Sequence, residues 1–495
     1  MFFKNKTYLV NNKQLDKYQT KAVKCNLKRY LVVAGAGSGK TLTIVGKVKY
    51  LIEECGLKQK DIICISFTNE SVNSLINSLE KSNLKIDVKT FHKLALDIIN
   101  LKKYSIASST ILDYIIEEYF TSIIYFENDY KLLSLYLNDN YYKYDEFIFY
   151  FKKTTSFFIK TFKANDYSLS FFYSLLFNKN IDVDERILLT IIFKIYILYQ
   201  EELNSYGVID FDDMLSLSIE AISKKDYFKY KYIIIDEFQD TSLVRYNLIK
   251  KIIEKFDVSL MAVGDDYQSI YSFNGCDIEL FLNFKKNFSN SKIIKLKNTY
   301  RNPKDIVDIS SRFIIKNKKQ IKKKLISKKY IYKSIIIVYS KNISNDFVTI
   351  VKDLDNILVL GRNNNDIKLL LNNEITCNNL KNIYIKNFTK NIRYLTVHSS
   401  KGLEEENVII LNVTDNTLGF PNKIKENNLL KYLKKDNDNF LYSEERRLFY
   451  VALTRTKNKV YIFTSKNNPS IFVTELLKDY KAKLKIIDFE EKDFK

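Results

Sequence analysis

The sequence predicts an α/β protein built on parallel sheets, with a helical insertion in the first of two αβ regions. Three observations carry this. Runs such as "YLVVAG", "DIICISFT", "KYIIIDE" and "SLMAVGDD" are continuously apolar. Strands of that kind are buried on both faces, the texture of a parallel sheet covered by helices. Between them lie helical periods, as at Leu42, Val45, Val48 and Leu51. From about residue 93 to 205 the chain turns to Tyr, Phe, Ile and Lys, with neither Gly nor Pro, as in "ERILLTIIFKIYILYQEEL". That stretch reads as an all-helical insertion.

The bulk properties set bounds. The chain has 495 residues, 46% of them hydrophobic and 28% charged, enough for about three or four globular domains. Lys and Arg number 79 against 58 Asp and Glu, a net charge of +21. Such an excess favours a polyanionic partner, most often nucleic acid. A coding bias toward A and T explains it equally well, since Lys, Asn, Ile, Tyr and Phe abound while Trp is absent and Pro occurs 3 times. Cys25, Cys55, Cys64, Cys276 and Cys377 are scattered, without the paired spacing of a zinc or iron–sulfur site. A reduced, cytoplasmic protein is expected. "MFFKNKTYLVNN" has no signal-peptide core, and "SLSFFYSLLF" is too short to span a bilayer. No membrane association is expected.

The first strand runs into "VVAGAGSGKT", residues 32–41, which holds three of the chain's 11 glycines. This is the pattern of a phosphate-binding loop. The backbone N–H groups of Ala34, Gly35, Ala36, Gly37, Ser38 and Gly39 converge on an anion, and the following helix adds its positive end. A side chain at Gly37 or Gly39 would block close approach. Lys40 reaches the β- and γ-phosphates and Thr41 holds Mg²⁺. Ala34 stands where the strict pattern has Gly. "IIIDEFQD" supplies the other half: Asp236, at a strand end, holds Mg²⁺ through water, and Glu237 deprotonates the attacking water. Ligands of parallel sheets sit at the carboxyl ends of strands, where Gly35, Asp236 and Asp265 fall. A second αβ region begins near residue 290, with "SKIIKLKN", "SIIIVYS", "NILVLGR", "RYLTVH", "NVIILNV" and "KVYIFTS" as strands. The lysine-rich residues 315–329 either contact phosphates or form a solvated face or loop.

With these motifs in place the chain resembles the superfamily 1 DNA helicases of the UvrD, Rep and PcrA type, over nearly its whole length and in the family's motif order. The resemblance implies two RecA-like P-loop motor domains, the first at 1–92 and 206–288 with the helical insertion at 93–205, the second at 289–495. "LDKYQTKAV" resembles the adenine-reading segment, making Gln19 the adenine contact. "SFTNESVNSL" and "TFHKLA" resemble DNA-contacting motifs, with Phe67, Thr90 and His92. "YGVIDFDDML" matches the re-entry into the first motor. "VGDDYQSIYSFNGC" is similar to the coupling motif, with Gln268 at the γ-phosphate and Tyr271 and Phe273 against bases. "LKNTYRN" places Tyr300 on the adenine and Arg301 at the γ-phosphate. "LTVHSSKGLEEENVIIL" contributes His398, Lys401 and the nucleotide-contacting Glu404. "EERRLFYVALTRTKNKVYI" supplies Arg455 as a second arginine finger. The chain's two histidines, His92 and His398, both fall in these motifs.

The function so implied is ATP-dependent, 3′-to-5′ translocation on single-stranded DNA with unwinding of tailed duplexes, using ATP and Mg²⁺. An ATP-gated DNA-binding subunit of a defence or plasmid system that seldom unwinds is the alternative. A scaffold with a dead ATPase is opposed by the intact Lys40, Asp236, Glu237, Gln268, Arg301 and Arg455. The chain departs from the family in four places. Phe273 replaces the usual Trp, Asn274 the usual Arg, and Glu70 the usual Lys. About 35 residues separate "LGRNN" from "TVHSSKG", too few for the family's large mobile subdomain. A C-terminal tail and a nuclease domain are also missing, so a near-minimal motor is expected.

Overall fold

The computed structural model describes residues 8–99, 105–123, 128, 130, 131, 133, 134, 144–386, 388–424, 428–433 and 440–491. Two large sheets organise them. The first contains β1 (Arg29–Val33), β2 (Ile62–Ser66), β3 (Asp87–Thr90), β4 (Tyr232–Ile235), β5 (Ser259–Gly264) and β6 (Lys292–Lys295), in the order β6-β1-β5-β4-β2-β3. Every pairing is parallel. The continuous apolar runs have the expected cause. Leu31, Val33, Ile63, Ile65, Ile233 and Ile235 enter the core on one face. Their neighbours Tyr30, Val32, Ile62, Cys64 and Ile234 enter the core on the other.

The second sheet contains β7 (Ile335–Tyr339), β8 (Ile357–Gly361), β9 (Ile375–Asn378), β10 (Asn382–Ile385), β11 (Ile392–Thr396), β12 (Glu405–Ile410), β13 (Thr456–Thr464) and β14 (Lys485–Asp488). Their order is β9-β10-β11-β8-β12-β13-β7-β14. It is parallel except at β9 and β10, an antiparallel hairpin on the edge. That hairpin occupies the stretch where the family's mobile subdomain was expected to be missing. It buries Ile375, Ile383 and Ile385 against the sheet's own core.

Two boundaries differ from expectation. "SKIIKLKN", read as the opening strand of the second αβ region, is β6 and closes the edge of the first sheet, with Lys292 to Lys295 in register with Tyr30 to Val33. Strand texture alone carries no record of the partner, so sequence could not assign it. The helical texture read from residue 93 also begins too early. Of the helices that matter below, α1 is Lys40–Glu53, α2 Phe91–Ile99, α3 Tyr144–Ala164, α4 Val183–Ser205, α5 Phe211–Lys224 and α6 Ser443–Leu453. In α2, Phe91, Leu94, Ala95 and Ile98 pack into the first sheet's core.

The insertion has its own aromatic core, with Phe120, Phe151, Phe158, Phe162, Phe172 and Ile192. A two-residue parallel pairing of Ser105–Ile106 with Val208–Ile209 draws its ends together. Its hold on the motor includes a buried charge cluster: Lys163 at the end of α3 reaches Asp210 at 2.5 Å and Asp213 at 2.8 Å, at the start of α5. Tyr199 of α4 also donates to Asp210, at 2.8 Å. Leu429, Leu430 and Leu433, from the second αβ region, enter the insertion's core as well. No helix among the described residues is long and apolar enough to cross a membrane.

The Lys163 side chain is 6% exposed, so its loss strands two carboxylates. Lys163→Met is expected to cost about 3–5 kcal/mol in chemical denaturation, as for other broken buried ion pairs. A loss below about 1 kcal/mol would show the cluster to be solvated.

Candidate functional site

The loop after β1 turns into α1 at Gly39, whose φ of +77° is left-handed; Gly37 is the same at +68°. No side chain caps α1, so its first-turn N–H groups stay open to an anion. Ser38 Oγ is buried without a hydrogen-bond partner. An uncapped helix end, an orphan hydroxyl and Lys40 together fit a phosphate chain.

The glycines also serve the protein itself, which sequence reasoning missed. A Cβ on Gly37 would lie 2.4 Å from Arg301 Cβ, one on Gly39 2.5 Å from Gln19 Nε2, and one on Gly35 2.5 Å from Leu325 Cδ1. Three other segments press on the loop. Thr299 Oγ1 donates to the Ala36 carbonyl at 2.7 Å. The Tyr300 N–H donates to the Gly37 carbonyl at 2.9 Å.

Asp236 and Glu237 follow β4. Glu237 adopts φ +52°, a strained conformation for a residue with a side chain. Its carboxylate accepts from Lys40 Nζ at 2.5 Å and from Gln239 Nε2 at 2.6 Å. Desolvation opposes its charge, but Lys40 and Lys401 overcome that and hold its pKa down. Asp236 shifts the other way, raised by desolvation and by Glu237 beside it. Lys40 is itself desolvated, and Glu237, Asp236 and Asp265 hold it charged above its ordinary pKa. Two acids facing one ammonium leave room for a divalent cation. No cluster of three or more His, Cys, Asp or Glu among the described residues holds a metal alone.

The second αβ region completes the pocket. Arg301 Nε donates to Glu404 at 2.6 Å, so Glu404 meets an arginine where a nucleotide contact was expected. Arg455 is 1% exposed. It donates to the Val451 and Leu403 carbonyls, each at 3.1 Å, and to Gln268 Oε1 at 3.2 Å. Desolvation and Arg301 push its pKa down to about 9, which leaves it charged at neutral pH. Gln19 donates to the Ser38 carbonyl at 3.1 Å. Tyr300, 60% exposed, donates to Asp16 at 2.7 Å. A flat open ring thus lies above the segment that holds Gln19.

Two cavities flank the coupling segment. One, of about 930 Å³, is lined by Phe273, Arg362, His398, Asn422, Tyr442 and others. The second, of about 710 Å³, is lined by His92, Phe149, Lys152, Lys153, Lys160, Arg245 and Phe273. Phe273, 41% exposed, lines both. The other two expected stacking rings are less available. Phe67 packs edge-on to Phe91 at 5.4 Å, with the Arg245 guanidinium 5.3 Å from its centre. Tyr271 lies 4.7 Å below Lys401 Nζ and 5.8 Å from Phe273. Thr90 Oγ1 accepts from the Lys93 N–H at 3.2 Å, as a helix cap. Sequence reading did not select the cavity cations Lys152, Lys153, Lys160 and Arg245, because surface lysines are unremarkable in so basic a chain.

The lysine-rich segment is corrected in part. Lys322 and Lys324 are exposed, but Lys323 is buried with Asp265 and Asp266. The segment turns Lys323 inward and leaves its neighbours in solvent, which separates residues that composition treats alike.

Comparison with known proteins shows the family. The family model of the UvrD/REP helicase N-terminal domain matches residues 15–289. The chain belongs to this family. The UvrD-like helicase C-terminal domain matches residues 345–467. DNA helicase IV of Escherichia coli is 31% identical over 284 residues, 56% of this chain and 40% of the relative. An ATP-dependent DNA helicase Rep of Buchnera aphidicola is 29% identical over 327 residues, 64% and 46%. An ATP-dependent DNA helicase PcrA of Staphylococcus aureus is 27% identical over 329 residues, 62% and 40%. The chain thus spans less than half the length of these UvrD-type relatives.

Gly37→Ala drives a methyl into Arg301 and strains the loop. Nucleotide affinity by calorimetry is expected to fall at least about tenfold, with the fold retained. Unchanged affinity would mean that 299–301 can part from the loop without cost.

His92 and His398 both have pKa values pushed down to about 4, by desolvation first and then by Arg245, or by Arg362 and Lys401. The unfolded chain takes up these protons below the ordinary 6.5, whereas the fold does so only near 4. Their contribution is complete above pH 6.5 and is lost as pH falls toward 4. It should amount to about 3 kcal/mol each. His92→Gln with His398→Gln should flatten the fall in unfolding free energy between pH 7 and 5; an unaltered slope would place both imidazoles in water.

Proposed function

We propose that the chain is an ATP-dependent motor on single-stranded DNA and a DNA helicase of 3′-to-5′ polarity. The observation that supports it most is the Arg455–Gln268 contact at 3.2 Å. It joins the two αβ regions at the nucleotide pocket, five positions before Phe273 and the DNA-sized cavities. On this reading the first motor comprises 1–99 and 206–288 with edge strand β6, the insertion runs from the end of α2 to 205, and the second motor is the remainder from 289.

Bound ATP with Mg²⁺ supplies the phosphoanhydride bond whose hydrolysis drives the cycle. Backbone N–H groups of residues 35–41 and the Lys40 ammonium hold the phosphates, with Thr41 and Asp236 as the metal's protein ligands. Gln19 and Tyr300 seat the base. Glu237 releases Lys40 and takes the proton of an ordered water. Arg301, turned from Glu404, and Arg455 offset the charge that develops on the phosphoryl group. These groups come from both regions, so the site is complete only when the regions close. Reopening after hydrolysis moves the DNA grip.

Single-stranded and tailed duplex DNA are the partners this reading assigns. Phe273 stacks on bases regardless of sequence, and the cavity lysines with Arg245 track phosphates. Polarity rests on the family resemblance alone. A phenylalanine in place of tryptophan, and a hairpin where relatives of this type carry a large subdomain, favour efficient translocation with weak unwinding of long duplexes by one copy.

ATP turnover is expected to depend on single-stranded DNA. Lys40→Ala should abolish it, and Glu237→Gln should bind ATP without hydrolysing it. Arg301→Ala or Arg455→Ala should cost roughly 10³-fold or more in turnover. Strand displacement should open 3′-tailed but not 5′-tailed duplexes. Equal turnover with and without DNA would defeat the motor reading, and displacement from 5′ tails only would reverse the polarity.

A further inference from the structure

Residues 320–325 leave the second αβ region and run across the base of the phosphate loop. Backbone and side-chain bonds pin them there. The Ile321 N–H donates to Asp266 Oδ2 at 2.8 Å, and Tyr267 Oη donates to the Ile321 carbonyl at 2.9 Å. Leu325 fills the space that a side chain on Gly35 would need. Between these anchors Lys323 turns inward, its side chain 1% exposed.

The Lys323 ammonium is fully engaged. It donates to the Asp265 carboxylate, lies 2.7 Å from Asp266 Oδ1, and donates to the Ala34 carbonyl at 3.1 Å. The Tyr267 ring lies 3.7 Å from it. Asp265 in turn accepts from Gln268 Nε2 at 2.5 Å, which fixes the amide so that its oxygen receives Arg455. The Asp265 N–H donates to Gln239 Oε1 at 2.9 Å, and Gln239 Nε2 donates to Glu237. Asp265 therefore touches both groups: its carboxylate orients the Gln268 amide, and its backbone N–H holds Gln239, which donates to the general base.

Asp265 and Asp266 are both fully buried, and buried carboxylates keep their charge only beside a cation. Without Lys323 beside it, the Asp265 carboxylate draws the nearby Arg455 guanidinium toward itself. A displaced guanidinium leaves the phosphoryl site. We propose that Lys323 is a positioning residue for hydrolysis: it holds the Asp265 carboxylate in place, and so sets the Gln268–Arg455 geometry on which turnover depends. This rests on the motor reading above for its kinetic consequence, though not for its structural one.

The test uses the full chain carrying Lys323→Met, with Lys323→Gln as a second variant that keeps a hydrogen-bond donor without the charge. In nucleotide-free protein, amide exchange at residues 265–269 is expected to rise about tenfold, with the peptide 335–339 unchanged. Calorimetric ATP affinity should stay within about threefold, while DNA-stimulated kcat falls at least about tenfold. Added to Gln268→Ala, Lys323→Met should lower kcat little further, because the two act as one unit. Unchanged exchange at 265–269 in a folded variant overturns the inference, whether or not the chain hydrolyses ATP. A normal kcat, or fully additive losses in the double variant, also overturns it. Absence of DNA-stimulated turnover in the unaltered chain defeats the motor reading instead, and the exchange result still decides the placement of Lys323.

Discussion

Carboxylates gathered at the carboxyl ends of two neighbouring parallel strands need cations, and most of the architecture around the pocket meets that need. Asp236 and Glu237 follow β4, and Asp265 and Asp266 follow β5. The strands cannot supply positive charge, since their residues are apolar on both faces. It arrives from elsewhere: Lys40 from α1, Lys323 from the crossing segment, Arg455 from the end of α6, and Lys401, which reaches Asp240 at 2.5 Å. Three of these four follow β6 in the chain. Electrostatics therefore ties the second αβ region to the first at the place where a nucleotide's own charge would enter the balance.

This gives the site its capacity to switch. Lys40 is bound to Glu237 and Arg301 to Glu404. A polyphosphate with its metal would compete for both cations and free both acids. The exchange is near-neutral in charge, so modest binding energy is enough to re-pair the groups. Lys323 is different in kind: it is buried against Asp265 and Asp266 at the base of the loop.

The opposite side of the coupling segment follows different physics. The two cavities meet at Phe273; the cations of one are Arg362 and Arg447, and those of the other are Lys152, Lys153 and Lys160 of α3 with Arg245, beside Asp113, Glu117 and Asp212. Burial holds the pKa values of both motif histidines down, and each lines one of the cavities. Affinity for a polyanion would come from lysines on helices that carry no recognisable motif. The net charge of +21 mixes such residues with many that are merely solvated, as Lys322 and Lys324 flank Lys323.

The sequence by itself determined the parallel sheets, the phosphate loop, the acid pair and the family. Each is written in contiguous residues whose spacing is set by local geometry: a strand's burial, a left-handed glycine, a helix end. Tertiary structure alone decided which sheet β6 joins, since a strand of Ile and Lys is compatible with either edge. It decided that Gly35 is constrained by Leu325 and Gly37 by Arg301, side chains that lie far away in sequence. It also decided that Lys323, one of three consecutive lysines, is the buried one. Desolvation and ion pairing act through space between segments whose approach no local pattern encodes, which is why the motifs were legible and the contacts that hold them together were not.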